Sequence, residues 1–331
     1  MTDDNPRKHP IAHGQGFVEV ADRCFVARYE FVNVNVGVVA GERGLLVVDT
    51  HASEVEARRV LEDVGRLGLG EVVAVVNTHA HFDHAFGNAV FVEEYDGVPL
   101  FAHEQAAAVQ EQARRDAESE EDPRVLDIAE ARIVVPERTF SSAGVVDLGD
   151  RYVELAHLGR GHTAGDAVVR VPDADVVFAG DLVEEFTDGG AAPGFGDDCY
   201  PLEWPATLDL LVGMLTDETV VAPGHGIPVD RDYVQEQRAS IALVAQTVSD
   251  LAAQGVPVAD ALAAGQSKAQ AKKLLRGAPW AADRTIAAIE KRDAEAFRRA
   301  VAAIADLEVE TRGGELSEDT EAVRAVLLAT R

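Results

Sequence analysis

The chain has 331 residues, 47% of them hydrophobic and 6% aromatic, enough for one large or two ordinary globular cores. Thirty basic residues against 58 acidic ones leave a net charge of −28, which repels polyphosphate and anionic lipid and excludes nucleic acid and membrane as expected partners. No apolar run nears the ~20 residues that span a bilayer and the start MTDDNPRKHP lacks a signal peptide's apolar centre, so a cytoplasmic protein is expected, with Cys24 and Cys199 as free thiols.

Residues 1–15 read as a flexible N-terminal segment. From Gly16 to Asp49 the pattern is short strands broken by turns: FVEV, CFVARYEF, VNVNVGVVA, the Gly41–Gly44 turn, then LLVVD, an antiparallel sheet. Ser53 offers an N-cap with Glu56 as its capping-box partner. Val55, Val60, Leu61, Val64 and Leu67 make one apolar helix face before Gly68 and Gly70 end it. The strand Val72–Val76 leads into NTHAHFDHAFGN, followed by a short helix over Ala85–Glu94, strand VPLFA, and polar helical segments around Glu104–Ala117 and Glu120–Ala131. A second strand group runs from Val145 to Ala179. Two strand-rich halves, each followed by helix, predict an α/β chain: two sheets face to face with helices outside, a four-layer αββα sandwich over residues 16–230. The loop Thr187–Ala206, rich in Gly and Pro, carries Phe195, Tyr200 and Trp204, which suit a substrate-facing flap and equally a loop pinned to the core. Beyond Pro228 helical spacing returns in Val234, Ile241, Val244, Val248 and Leu251 and again in Phe297, Val301 and Ile304. Residues 231–331 are therefore expected to form a helical extension, a pocket wall or a homo-oligomer contact. Lys268, Lys272, Lys273 and Arg276 read there as a solvated helix face.

The chemistry concentrates in seven residues. His79, His81, Asp83 and His84 lie within six positions at the end of an apolar strand, and His162, Asp181 and His225 each follow a later strand-like run. Imidazole and carboxylate suit a borderline divalent ion such as zinc. Alternate residues at a strand end point the same way, so His79 and His81 can grip one ion while Asp83 and His84, further round the turn, reach another. Asp49, Thr163 and Asp166 read as bracing groups, because ligating histidines hand their other N–H to a carboxylate or carbonyl. His9, His13, His103 and His157 read as ordinary core or surface histidines. His51, just past the strand that ends at Asp49, is the most plausible exception.

In order and spacing, H-x-H-x-D-H at 79–84, G-H-T-x-G-D at 161–166, the Asp181 carboxylate after a short strand and P-G-H at 223–225 resemble the metallo-β-lactamase superfamily of hydrolases. The resemblance covers roughly residues 16–230. It implies that His79, His81 and His162 hold a first ion, Asp83, His84 and His225 a second, and Asp181 both. It also implies two divalent ions per chain, zinc foremost with iron or manganese as alternatives. Such a pair, ~3.5–4 Å apart, would hold a hydroxide that attacks a small-molecule substrate, with Asp83 orienting it as the catalytic carboxylate.

Three departures narrow the activity. The superfamily's true β-lactamases carry Cys or Ser where Asp181 stands; its glyoxalase II group has a Tyr where Ile227 stands; its acyl-homoserine-lactone lactonases have a Tyr where Glu184 stands. A small ester, lactone or thioester is the expected substrate. The competing readings are a mononuclear iron, persulfide-dioxygenase-like enzyme, a β-lactamase-like hydrolase, and a non-catalytic metal-stabilised binding module.

Overall fold

The structure, a computed structural model, describes residues 11–117, 128, 130–185, 194–196 and 198–253. Its strands are β1 (Val18–Ala21), β2 (Cys24–Arg28), β3 (Asn35–Gly41), β4 (Gly44–Val48), β5 (Val72–Val76), β6 (Leu100–His103), β7 (Arg138–Phe140), β8 (Ala143–Asp147), β9 (Tyr152–Ala156), β10 (Val168–Val171), β11 (Val176–Glu184) and β12 (Val220–His225). The helices are α1 (Glu54–Leu67), α2 (Phe82–Ala85), α3 (Asn88–Glu94), α4 (Glu104–Ala117), α5 (Trp204–Met214) and α6 (Arg231–Ala253).

The first sheet runs β1 to β7 in sequence order, antiparallel as far as β4 and parallel from β4 to β7. The second has the order β12-β11-β10-β9-β8 and is antiparallel except for the β11–β12 pair. The near-continuous apolar runs of β3, β4 and β5 follow from burial of both faces of the first sheet. Val39, Leu46, Val48, Ala74 and Val76 face the second sheet and pack with Val153, Leu155, Val169, Val171 and Phe178. Val36, Val38, Leu45, Val47 and Val75 face the other way, onto Ala57, Val60 and Val64 of α1 and Val90 and Phe91 of α3. Each such side chain taken out of water contributes roughly 1.5–3 kcal/mol. The fold is α/β, with mixed sheets and flanking helices, as the sequence leads one to expect.

Local chemistry sets the ends of α1. Ser53 accepts a hydrogen bond from the Glu56 amide at 3.3 Å, and Gly68, left-handed at φ 65°, terminates it. Two expectations are revised. The helix read over Ala85–Glu94 is two helices, α2 and α3, and the strand read from Val32 begins at Asn35, because Val32 and Asn33 form a 3-10 turn with φ of 53° each.

The described residues fall into two compact units. The first comprises those up to Leu158 with Gly165–Glu185 and Leu211–Asp232, and it contains both sheets. The second comprises Gly159–Ala164 and the described parts of Phe186–Leu210 and Tyr233–Arg331. In the second unit α6 buries Val234, Ile241 and Val248, at the anticipated spacing. The rest of the expected C-terminal extension, with its basic cluster and oligomer contact, lies outside the described residues, as do Glu120–Asp127 and 187–193 of the expected flap. Among the described residues no helix is long and apolar enough to cross a membrane.

Candidate metal centre

Asp49 organises one side of the centre. At the end of β4 it turns left-handed, φ 66°, a conformation that Asp tolerates better than most residues. Its Oδ1 accepts from the Thr78 amide at 2.7 Å, and its Oδ2 accepts from the Thr78 hydroxyl and from His84 Nδ1, each at 2.8 Å. Since the Thr78 proton goes to Asp49, Thr78 Oγ1 accepts from His79 Nδ1 at 3.1 Å. The turn through His81 and the short helix α2 then bring Asp83 and His84 round. The His84 carbonyl accepts from the Thr50 amide and hydroxyl and from Asn77, while Asn77 and Asn88 bind each other.

The other side comes from the parallel β11–β12 pair. Asp181 follows Gly180, which is left-handed at φ 51°. Opposite it a Cβ at position 224 would lie 1.8 Å from Asp181 Oδ1, so only glycine lets the two strands approach here. His225 is held from the far side of the sequence. Its Nδ1 donates to the Asn33 carbonyl at 3.2 Å, and the Asn35 amide donates to the carbonyls of Pro223 and Gly226, both at 2.8 Å.

These braces make the Nδ1 atoms of His79, His84 and His225 donors, and each ring turns its Nε2 toward carboxylate oxygens. Asp181 stands among them: Oδ1 lies 3.2 Å from His84 Nε2, and Oδ2 lies 3.2 Å from His225 Nε2 and 3.7 Å from His79 Nε2. Asp83 Oδ2 is 3.4 Å from His225 Nε2 and 3.7 Å from His84 Nε2. The His79 ring lies 4.6 Å from that of His81 and 4.3 Å from that of His84. The ligand atoms of His79, His81 and Asp181 lie within 4.8 Å of one another, as do those of Asp83, His84 and His225. These facing imidazoles and carboxylates could hold cations between them, and borderline divalent ions fit this donor set. Without them a proton does that work. Burial alone pulls the His84 and His225 imidazoles down, but Asp181 and Asp83 outweigh it, holding His84 well above its ordinary range and pushing His225 up to about 9.

His162, the remaining residue of the seven, lies in the second unit. It is buried there, its ring 5.6 Å from and edge-on to Trp204, which in turn meets Phe195 at 6.0 Å. Arg160, two residues earlier, pairs with Glu203 at 2.9 Å, lies over the Tyr200 ring, and accepts the Thr207 hydroxyl on its carbonyl. The described aromatics of the loop thus pack within their own unit. Thr163 and Asp166 are buried. His51 makes no part of either cluster. It is buried against Tyr29 and Phe31, its Nδ1 accepts from the Ala52 amide at 2.7 Å, and burial lowers its pKa to about 3. His103 and His157 stack at 3.9 Å, and Cys24 and Cys199 are both buried and in no disulfide. Sequence reasoning passed over Asn33, Asn35, Asn77, Thr78 and Asn88. The available signal was the polar residues interrupting VNVNVGVVA and flanking the histidine motif.

Comparison with known proteins points the same way. The family model described as the metallo-beta-lactamase superfamily matches residues 29–225. A protein named metallo-beta-lactamase type 2 from Bacillus cereus is 26% identical over 202 residues, 61% of this chain and 70% of that one. A hydroxyacylglutathione hydrolase from Gloeobacter violaceus is 51% identical over a short stretch of 47 residues, 14% of this chain and 18% of that protein. In three dimensions the chain is similar to a metallo-beta-lactamase from Pontibacter korlensis, with a TM-score of 0.54 and 20% identity over 68% of this chain and 97% of that one, a likeness of fold.

Proposed function

From the premise that the chain belongs to the metallo-beta-lactamase superfamily, we propose that it is a metal-dependent hydrolase of a small ester, lactone or thioester, using two divalent ions with zinc foremost. The observation that carries this reading is the Asp181 carboxylate, whose two oxygens face histidines of both clusters. In this proposal His79, His81 and His162 would hold one ion, Asp83, His84 and His225 the other, and Asp181 would serve both. Such ions, when bound, acidify water and polarise a carbonyl, the two needs of hydrolysis at neutral pH.

The chain's own residues supply the order. Asp49 and Thr78 fix the tautomers of His84 and His79, and the Asn33 carbonyl fixes that of His225, so no ring must reorient during turnover. Asp83, close to His225, accepts a hydrogen bond from the attacking water and aims it at the substrate carbonyl. Relatives named metallo-beta-lactamase and hydroxyacylglutathione hydrolase support hydrolysis as the chemistry. The carboxylate at position 181, where the superfamily's true β-lactamases carry Cys or Ser, changes the charge at the second proposed ion and supports acyl substrates other than β-lactams.

The test is two-part. Elemental analysis of protein prepared without added metal should find about two ions per chain, mainly zinc; a reproducible single iron would promote the dioxygenase reading instead. The zinc-loaded protein should then turn over at least one of a γ-lactone, a p-nitrophenyl ester and an acyl thioester with a kcat/KM at least about tenfold above that for nitrocefin, a preference of only ~1.4 kcal/mol. Efficient nitrocefin hydrolysis with silence on the others defeats the substrate proposal.

A further inference from the structure

The first unit has a small, partly open cavity of about 10 Å3, lined among others by Asn35, Val48, Asp49, Thr78, Phe178 and Gly180. Its walls already touch: a Cβ on Gly37 would meet Phe178 Cε1 at 2.4 Å, and one on Gly180 would meet Thr78 Cβ at 2.6 Å, so the sheets cannot close further over it. A space of that volume suits one water-sized molecule.

Two acceptors define what that molecule must be. Asn35 is 5% exposed, and its two bonds to Pro223 and Gly226 identify the nitrogen end of the amide, leaving Oδ1 as a buried acceptor with no donor among the described residues. Buried acceptors of this kind are met by protein donors or by ordered water, because leaving them unmet is costly. Asp49 accepts two hydrogen bonds on Oδ2 but only one on Oδ1, so Oδ1 has capacity for another donor. A water carries two protons, one for each.

We propose that this cavity holds a single structural water that donates to Asn35 Oδ1 and to Asp49 Oδ1. Asn35 is then a positioning residue, tying the Pro223–Gly226 arm that carries His225 to the carboxylate that braces His79 and His84. The water site stands on the cavity and the amide alone; the positioning role rests on the metal reading proposed above.

A crystal structure of the full chain at a resolution that shows ordered solvent decides the first part. It should reveal one peak at hydrogen-bonding distance, ~2.7–3.2 Å, from both oxygens. A cavity without density, or a peak ringed by five or more oxygens at the ~2.3–2.6 Å of a bound cation, overturns it. The second part is read in Val48→Ile, which pushes a methylene into the cavity while leaving the Asn35 amide bonds, and in Asn35→Leu. Loss of the water should weaken zinc retention in chelator competition about tenfold and shift the absorption spectrum of the cobalt-substituted protein. A variant that expels the water with zinc affinity and spectrum unchanged overturns the positioning role. Failure of the wild-type protein to bind zinc at all refutes the metal reading instead, and leaves the water to the crystal.

Discussion

Asp181 is the residue on which the proposed two-ion chemistry turns, and its substitutions separate cleanly from those of its neighbours. Asp181→Ala should strip both ions, whereas His225→Ala should empty chiefly the second, with the far-ultraviolet spectrum of each variant unchanged. Metal content by elemental analysis checks both, and full metal in Asp181→Ala ends the shared-ligand assignment. His51 makes a different prediction. Burial lowers its pKa from the ordinary 6.5 to about 3, so between those values the unfolded chain binds a proton that the folded one refuses. The neutral ring's contribution is present above pH 6.5 and is lost as pH falls toward 3, at about 1.4 kcal/mol per pH unit. In metal-depleted protein, denaturant melts of His51→Phe should show a pH dependence shallower by about one proton over that window. An unchanged slope would mean that His51 is protonated in the fold.

At the scale of elements, the approach of β11 to β12 is the sensitive contact. Gly224→Ala places a methyl 1.8 Å from Asp181 Oδ1, so the carboxylate must move, and metal content should fall well before the melting temperature does. Ser53→Ala, by contrast, removes only the α1 cap and should lower stability by about 1 kcal/mol without touching metal content. That cap was legible in the sequence, as were the antiparallel strands β1–β4, because both depend on neighbours a few residues away. That six residues of the histidine–carboxylate set would come together in the first unit was legible for another reason: imidazoles and carboxylates recurring at successive strand ends point into one place. The braces were not legible. Asn33 and Asn35 look like two polar interruptions of a strand, and nothing local says that their partners are His225, Pro223 and Gly226. The parallel β4–β7 order and the split of the 85–94 helix into α2 and α3 likewise arise from pairings and braces set at a distance.

For the whole molecule, a net charge of −28 on 331 residues makes self-repulsion the dominant long-range electrostatic term. Raising salt from low ionic strength to about 0.15 M, where screening reaches ~8 Å, should raise the melting temperature of the metal-free protein, and a flat or falling trend would show that its ion pairs outweigh the repulsion. The pairing of Asn33 and Asn35 with the His225 arm also bears on the order of events during synthesis. Those contacts span 188 to 192 residues, so the loop they close is among the costliest in the chain to form and forms only after the earlier strands have somewhere to return to. A ribosome that has made the whole of the first sheet has still not delivered His225. Under the proposed two-ion reading, the emerging chain would hold metal at His79–His84 only partially and weakly, and the full site would be complete only once translation has passed β12.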